Sequence, residues 1–309
     1  MNKLSIVITT YNRPIDLKAT LSSIFSQKNN LISEVIVVDN NSDEMTAIVL
    51  SSFSSVKKIT LSTNIGAVAR NYGILSAEND IVVCLDDDVH PLFLDDWKLI
   101  SALMEGKQNI AAISFKVLGT NESLELYSWC HPRDPKTHAD KIFYSDYLSE
   151  GACAIRKSSF VAVGGYWEKL FIAHEGEDLV LRLLDNGYDI LYYPEIKVVH
   201  YHSNTGRPSW RAYYYNHRNN LWIIWKNYRL LYVIPAMVYA SCHMLFFSLR
   251  SFHFLAYLRA WKDALIELPL ILEERKPIKQ STHKKLSHYR AKRPHIIQRL
   301  RRHILNKVL

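Results

Sequence analysis

The sequence predicts an α/β fold built on a mostly parallel, doubly wound sheet. Three observations carry the prediction. Short β-branched apolar runs alternate with stretches of helical spacing over the first hundred residues. The runs are continuous rather than alternating, as in strands covered on both faces. Polar residues cluster just past three separate strand ends: Thr9, Thr10 and Tyr11; Asp39; and Asp86, Asp87 and Asp88. In such sheets ligands bind beyond the carboxyl ends of the strands.

The elements follow in order. Leu4–Thr9 reads as the first strand, and Asp16–Gln27 puts Leu17, Leu21 and Ile24 on one helical face. Glu34–Asp39 is the second strand, running into the polar loop Asn40–Asp43. Val56–Ser62 is a short third strand, Gly66–Ala77 is helical, and Asp80–Asp86 is the fourth strand. Ile110–Val117 and Gly151–Ile155 continue the sheet around an irregular segment near Trp129–Lys141. Glu177–Gly187 is a helix closed by a glycine, and Lys197–His200 is a strand. Arg207–Tyr228 is rich in Tyr, Trp, Arg and Asn. Leu230–Leu249 holds no Asp, Glu, Lys or Arg, which is just long enough to span a bilayer, although Pro235 and His243 interrupt it. Ser251–Leu272 is aromatic and amphipathic. This divides the chain into a main domain, 1–227, and a helical, aromatic and basic extension, 228–309.

Charge supports that division. The chain carries +8, yet Glu273–Leu309 holds 12 Lys and Arg against two acids. The remainder is therefore −2, and the basic character belongs to the appendage. Such a tail suits a polyanion, above all an anionic membrane surface. The four cysteines, Cys84, Cys130, Cys153 and Cys242, form no CxxC pair, which argues against a zinc ribbon and fits a reducing cytosol. Ser5–Thr9 gives way at once to polar Tyr11, Asn12 and Arg13, so it reads as a strand and not as a secretory leader.

Asp86, Asp87 and Asp88 close a buried strand, and three adjacent carboxylates repel one another. Bound Mn2+ or Mg2+ would relieve the repulsion, since hard divalent ions take carboxylate oxygens together with substrate phosphates. The bland reading of such a run is a solvated loop.

The runs Ser5–Arg13 (SIVITTYNR), Val37–Ser42 (VVDNNS), Asn64–Gly73 (NIGAVARNYG) and Leu85–Asp88 (LDDD) together resemble family 2 glycosyltransferases of the GT-A fold, in order and in spacing. The likeness extends to about Asn227. It implies metal-dependent, inverting transfer of a sugar from a nucleoside-diphosphate sugar, with UDP the commonest donor. Thr9, Tyr11 and Arg13 would line the nucleotide pocket, with Asp39 on the base or ribose. Asn64, Arg70 and Asn71 would support the nucleotide and diphosphate. Asp86 would approach the ribose and Asp88 the metal, with Asp87 beside them. His200 would complete the metal site, with His202 the lesser choice. Inverting transfer needs a base for the acceptor hydroxyl, and Glu175, Glu177 and Asp178 are the acids at the matching place. The pair Glu177 and Asp178 is preferred, although the family pattern holds two more residues than Gly176–Arg182 supplies. Glu150–Ala152 resembles the strand that meets the acceptor, Trp129 marks a possible acceptor loop, and Arg207, Arg211 or Arg218 could assist the leaving diphosphate.

Tyr213–Trp222 resembles segments of bacterial members that build surface polysaccharides. An aromatic, basic helix suits a membrane interface. With the apolar run and the basic tail, it leads us to expect peripheral association with the inner face of the cell membrane and a glycan or lipid-linked acceptor. A sugar nucleotidyltransferase would carry a glycine-rich basic loop where this chain reads Thr9–Pro14. A nucleic-acid-binding protein is disfavoured by the near-neutral main domain, and no nucleic acid is expected.

Overall fold

Why the apolar runs are continuous becomes plain once the two faces of the sheet are followed. The computed structural model describes every residue except 28–29, 94, 121–125, 127–128, 202–208 and 292–309. Among the described residues nine strands form one sheet: β1 (Leu4–Thr10), β2 (Ile32–Asp39), β3 (Val56–Thr60), β4 (Ile81–Asp86), β5 (Val89–Pro91), β6 (Ile110–Leu118), β7 (Phe143–Tyr144), β8 (Ala152–Arg156) and β9 (Asp189–His200). Their order is β3-β2-β1-β4-β8-β6-β9-β5, with β7 beside β9. β1 to β4, β6 and β9 run one way; β5, β7 and β8 oppose them. The sheet is therefore mostly parallel, as expected.

The first half also holds α1 (Pro14–Ser26), α2 (Glu44–Ser51), α3 (Arg70–Ser76), α4 (Asp95–Gly106), α5 (Pro135–His138) and α6 (Lys157–Ala162). Successive strand residues point to opposite faces. Ile6, Ile8 and Val83 meet Leu21 of α1 and Trp97 of α4. Val7, Val82 and Cys84 join the other core with Ile74 of α3 and Phe160 of α6. Helices cover both faces, so consecutive positions in the middle of β1, β2 and β4 are apolar. Gly73 lets α3 lie on the sheet, because a Cβ there would come 2.4 Å from a Val7 methyl.

Some boundaries differ from the sequence reading. Helix α7 spans Glu175–Asp185, two residues earlier than expected, and β9 runs twelve residues. Asp43, placed in a loop from sequence, caps α2 by accepting the Thr46 amide at 3.1 Å.

The C-terminal part consists of α8 (Trp210–Asn227), α9 (Leu230–Arg250), α10 (Phe254–Ile266), α11 (Leu268–Glu273) and α12 (Gln280–Arg290). The membrane-interface reading of Tyr213–Trp222 is corrected by packing. Tyr213, Tyr214, His217, Arg218, Leu221 and Trp222 are buried, and Leu221 and Trp222 belong to the main core. α9 is long and apolar enough to cross a membrane and is mostly exposed. α10 to α12 return to the main body, placing Ala264, Ile271 and Leu286 in its core. Three cations of the described basic tail also turn toward the fold, while Lys276, Lys279 and Lys284 are exposed. Arg275 donates to the Trp225 and Tyr228 carbonyls, Lys285 lies 2.5 Å from Asp189, and Arg290 pairs with Asp146. Lys285 and Arg290 are thus paired with acids within the fold.

Candidate active site

Strand register brings the predicted polar ends together. Thr9 pairs with Val38 on one side and Asp86 on the other, while Thr10 pairs with Asp39. Asp39 is buried and accepts the Ser42 amide at 2.9 Å, which shapes the loop beyond β2. Asn12, in a left-handed conformation, ties the two loops: its amide donates to Ser42 and its side chain accepts the Asp43 amide. Tyr11 projects from this edge with 44% of its surface exposed.

The three aspartates have different surroundings. Asp87 and Asp88 are buried, and Asp86 is half-buried. The Arg13 guanidinium spans two of them, at 2.7 Å from Asp87 and 2.7 Å from Asp88, with Asp16 3.1 Å from its Nε. Thr10 donates to Asp87 at 2.8 Å. Asp86 pairs with Arg70, which also lies 3.9 Å from Glu175. Burial pushes the Asp87 carboxyl up to about 7, against the pull of Arg13 and Thr10. Burial acts the same way on Asp88, but His200 and Arg13 outweigh it and hold that carboxyl well below the usual range.

Two arginines thus stand against three aspartates. A metal is expected to relieve the triplet's repulsion; Arg13 and Arg70 also supply counter-charge, and Arg70 is buried. The case for a metal rests instead on donor chemistry. Among the described residues no three His, Cys, Asp or Glu side chains form a preformed cage. Asp88 Oδ1 and His200 Nε2 do converge, at 3.1 Å. That matches the roughly 3 Å spacing of neighbouring ligands on an octahedral ion with bonds of about 2.1 Å. A carboxylate and an imidazole suit Mn2+, and waters and substrate phosphates commonly complete such a shell. The residues present therefore fit a divalent ion.

The acids of α7 separate sharply. Asp178 is fully buried and saturated, accepting from Arg182 at 2.6 Å, Lys226 at 2.6 Å and Asn227 at 2.8 Å. Its assignment as the base is corrected, since an enclosed carboxylate with three partners meets no substrate. Glu177 turns to His174 at 2.7 Å. Only Glu175 faces the triplet, through Arg70, and burial raises its carboxyl against that arginine's pull. Ala173 and His174 both adopt left-handed backbone, a strained pair at the mouth of α7. Asn219 of α8 holds it, donating to the Ile172 and Ala173 carbonyls at 2.7 and 2.8 Å. Arg218 grips the Asn219 oxygen and stacks 4.0 Å over Trp222, so it supports the loop and not a diphosphate.

Other expectations resolve as local structure. Asn64 accepts the Gly66 amide at 2.9 Å, and Asn71 exchanges two 2.9 Å bonds with the Tyr166 backbone. Gly66 has φ +75°, and a Cβ there would lie 1.8 Å from the Phe171 carbonyl. Trp129 sits in an aromatic cluster with His131 and Tyr192, its indole donating to the Arg133 carbonyl. Arg211 stacks on Phe171. His202 and Arg207 lie outside the described residues. Sequence reasoning missed Asn40, whose amide group bonds Ile65 and Gly66 and fixes the loop carrying Arg70. Its place beside Asp39 was the available signal.

The model of the family described as glycosyl transferase family 2 matches residues 5–164. The O-antigen chain rhamnosyltransferase WbaN of Salmonella anatum is 26% identical over 239 residues, covering 72% of this chain and 75% of that protein. The probable glycosyltransferase YdaM of Bacillus subtilis is 25% identical over 241 residues, 72% of this chain and 56% of that protein. Among solved structures, GalNAc-T7 with UDP, GalNAc and Mn2+ gives a TM-score of 0.60 at 16% identity, over 74% of this chain and 49% of that one. The mannosyltransferase PcManGT from Pyrobaculum calidifontis, in complex with GDP-Man and Mn2+, gives 0.57 at 14% identity, over 99% of this chain and 88% of that one. These likenesses show a GT-A-like α/β fold, and with the match over residues 5–164 the chain belongs to glycosyltransferase family 2 and is an enzyme of the glycosyltransferase class.

Proposed function

We propose that the chain transfers a sugar, with inversion, from a nucleoside-diphosphate sugar, by preference a UDP-sugar, to a hydroxyl of a glycan or lipid-linked acceptor in surface-polysaccharide synthesis. The observation that carries this reading is the convergence of Asp88 and His200 at 3.1 Å, on the strand edge where Thr9, Asp39 and Asp86 also end. Tyr11 offers an exposed ring to the base, and Thr9 lines the pocket, with Asn64 shaping the loop beside it through the Gly66 amide. Asp39 receives the base or ribose, and Asp86 receives the ribose. Arg13 and Arg70 hold the carboxylates in place, with Asp87 locked by Arg13 and Thr10 as the fixed floor. Asp88 and His200 would hold Mn2+ or Mg2+, which supplies positive charge to the departing diphosphate.

The relatives support this reading: WbaN is named an O-antigen chain rhamnosyltransferase, and two fold neighbours carry nucleotide or nucleotide-sugar with Mn2+. Thermal shift tests it. UDP with Mn2+ should raise the melting temperature, and RNA should not. Stabilisation by RNA alone would reverse the assignment.

We further propose that α9 and the turn after it rest on the inner leaflet. Leu230, Leu231 and Ile234 are 62–77% exposed, and Phe252 is 95% exposed. An apolar face this bare fits lipid better than water. Truncation is a poor test, because α10 to α12 complete the core. Replacing Leu231, Ile234 and Phe252 by Glu should cut binding to anionic vesicles by at least about tenfold, since each large apolar side chain transferred is worth about 1.5–3 kcal/mol. Undiminished binding with an unchanged melting temperature would remove the membrane assignment.

A further inference from the structure

The start of α7 lacks a usable base, although the proposed reaction needs one. Asp178 is enclosed, Glu177 is turned to His174, and Glu175 is buried against Arg70. Between them stands Gly176, which has no side chain. The space in front of it is filled from another element. A Cβ on Gly176 would lie 2.0 Å from Oε1 of Glu150 and 2.5 Å from its carboxyl carbon. That carboxylate accepts the Gly176 amide at 2.7 Å.

Glu150 is also beside the triplet. The next residue, Gly151, accepts the Asp86 amide at 3.0 Å, and a Cβ there would lie 2.2 Å from the Asp86 carboxyl carbon. Asp86 therefore rests directly on Gly151, and Glu150 stands one residue away, between the Asp86 edge and the mouth of α7. Glu150 is half-buried, whereas Glu175 is 6% exposed.

Resting on the glycosyltransferase reading above, we infer that Glu150, presented by the segment before β8, is the catalytic base for the acceptor hydroxyl, in the volume that a side chain at position 176 would otherwise occupy. The acceptor O–H proton passes to the Glu150 carboxylate. The acceptor oxygen bonds to the anomeric carbon, and the bond from that carbon to the diphosphate oxygen breaks, its electron pair leaving with the nucleoside diphosphate. The Gly176 amide fixes the carboxylate through one oxygen. Burial and the neighbouring Glu175 push its carboxyl up to about 8, with Arg70 pulling the other way, which suits a proton acceptor near neutral pH.

The test uses the full chain, Mn2+, UDP as binding probe and a panel of nucleotide-sugars whose hydrolysis is followed. Wild type should bind UDP with Mn2+ and hydrolyse at least one donor. If it does neither, the proposed metal-dependent transfer from a nucleotide-sugar falls and the base assignment with it. Given that activity, Glu150→Gln should keep UDP affinity within about twofold and lose turnover by about 10²–10⁴-fold, the usual contribution of a general base. Glu150→Ala should recover product when azide, which needs no deprotonation, is supplied as nucleophile. Glu150→Ala combined with Gly176→Asp should regain transfer, because the vacated volume admits the new carboxylate. Full turnover in Glu150→Gln with UDP binding intact would overturn the assignment while leaving the reading of the fold's activity standing. So would an azide-insensitive, correctly folded Glu150→Ala whose double variant stays inactive.

Discussion

Two buried acidic sites in this molecule look alike in sequence and differ in space. The triplet at the end of β4 and Asp178 on α7 both place carboxylates out of water beside cations. Asp178 is closed on every side, by Arg182 from its own helix and by Lys226 and Asn227 from α8. The triplet is braced by Arg13 and Arg70 but keeps one edge open, with Asp86 half-buried and His200 set beside Asp88. A buried carboxylate whose oxygens are all matched by protein donors is scaffold. One that is braced yet still addressed by a potential metal ligand at coordination spacing is equipped for chemistry.

Mutations should therefore break the two sites in different currencies. The largest effect belongs to Asp178→Ala, which strands Lys226 and Arg182. Removing one partner of a buried ion pair costs about 3–5 kcal/mol, a large share of the roughly 5–15 kcal/mol that holds a domain together. Urea unfolding should show that loss, and adding Lys226→Met should recover part of it. A melting temperature equal to wild type would mean that the α7–α8 clamp is ornamental. Asp88→Ala should act on the reaction instead. Arg13 keeps Asp87 and Asp16 as partners, so the fold survives, while Mn2+-dependent UDP binding disappears and turnover falls by about 100-fold or more, roughly 2.7 kcal/mol. Wild-type turnover would dissolve the distinction between the two sites.

The same contrast marks what could be read from the chain. Strands were legible because both-face burial writes itself into consecutive residues, as in Ile6, Val7 and Ile8. The polar strand ends were legible because topology alone lines them up. Direction was not legible. Tyr213–Trp222 has the composition of an interfacial helix, yet its polar groups point inward to clamp the Ala173–His174 turn. Asp178 has the sequence setting of a base, and only α8, some fifty residues later, shows that it is closed. Arg13 and Asp88 are 75 positions apart, so their pairing leaves no local trace. Glu150 and Gly176 are 26 apart, and a glycine gives no hint that its empty volume is used.

The smallest expected effect separates closed polar sites from one another by pH. His131 is buried in the aromatic cluster, with Nδ1 2.8 Å from the Ser145 hydroxyl. Burial drives its imidazole down to about 3 from an ordinary value near 6.5. Between those values the unfolded chain holds a proton that the folded chain refuses. The stability due to neutral His131 is thus complete above about pH 6.5 and is lost progressively as pH falls toward 3, at up to about 1.4 kcal/mol per pH unit. Asp178 behaves differently. Its carboxyl is pulled below the ordinary range, where Arg182 and Lys226 outweigh burial, so its contribution persists until pH falls beneath about 3.9. Denaturant unfolding at pH 6.5, 5.5 and 4.5 should therefore show a slope that His131→Phe reduces by about 1.4 kcal/mol per unit and that Asp178→Asn leaves unchanged. An undiminished slope in His131→Phe would mean that this histidine meets solvent in the folded protein and that the aromatic cluster around Trp129 is open rather than closed.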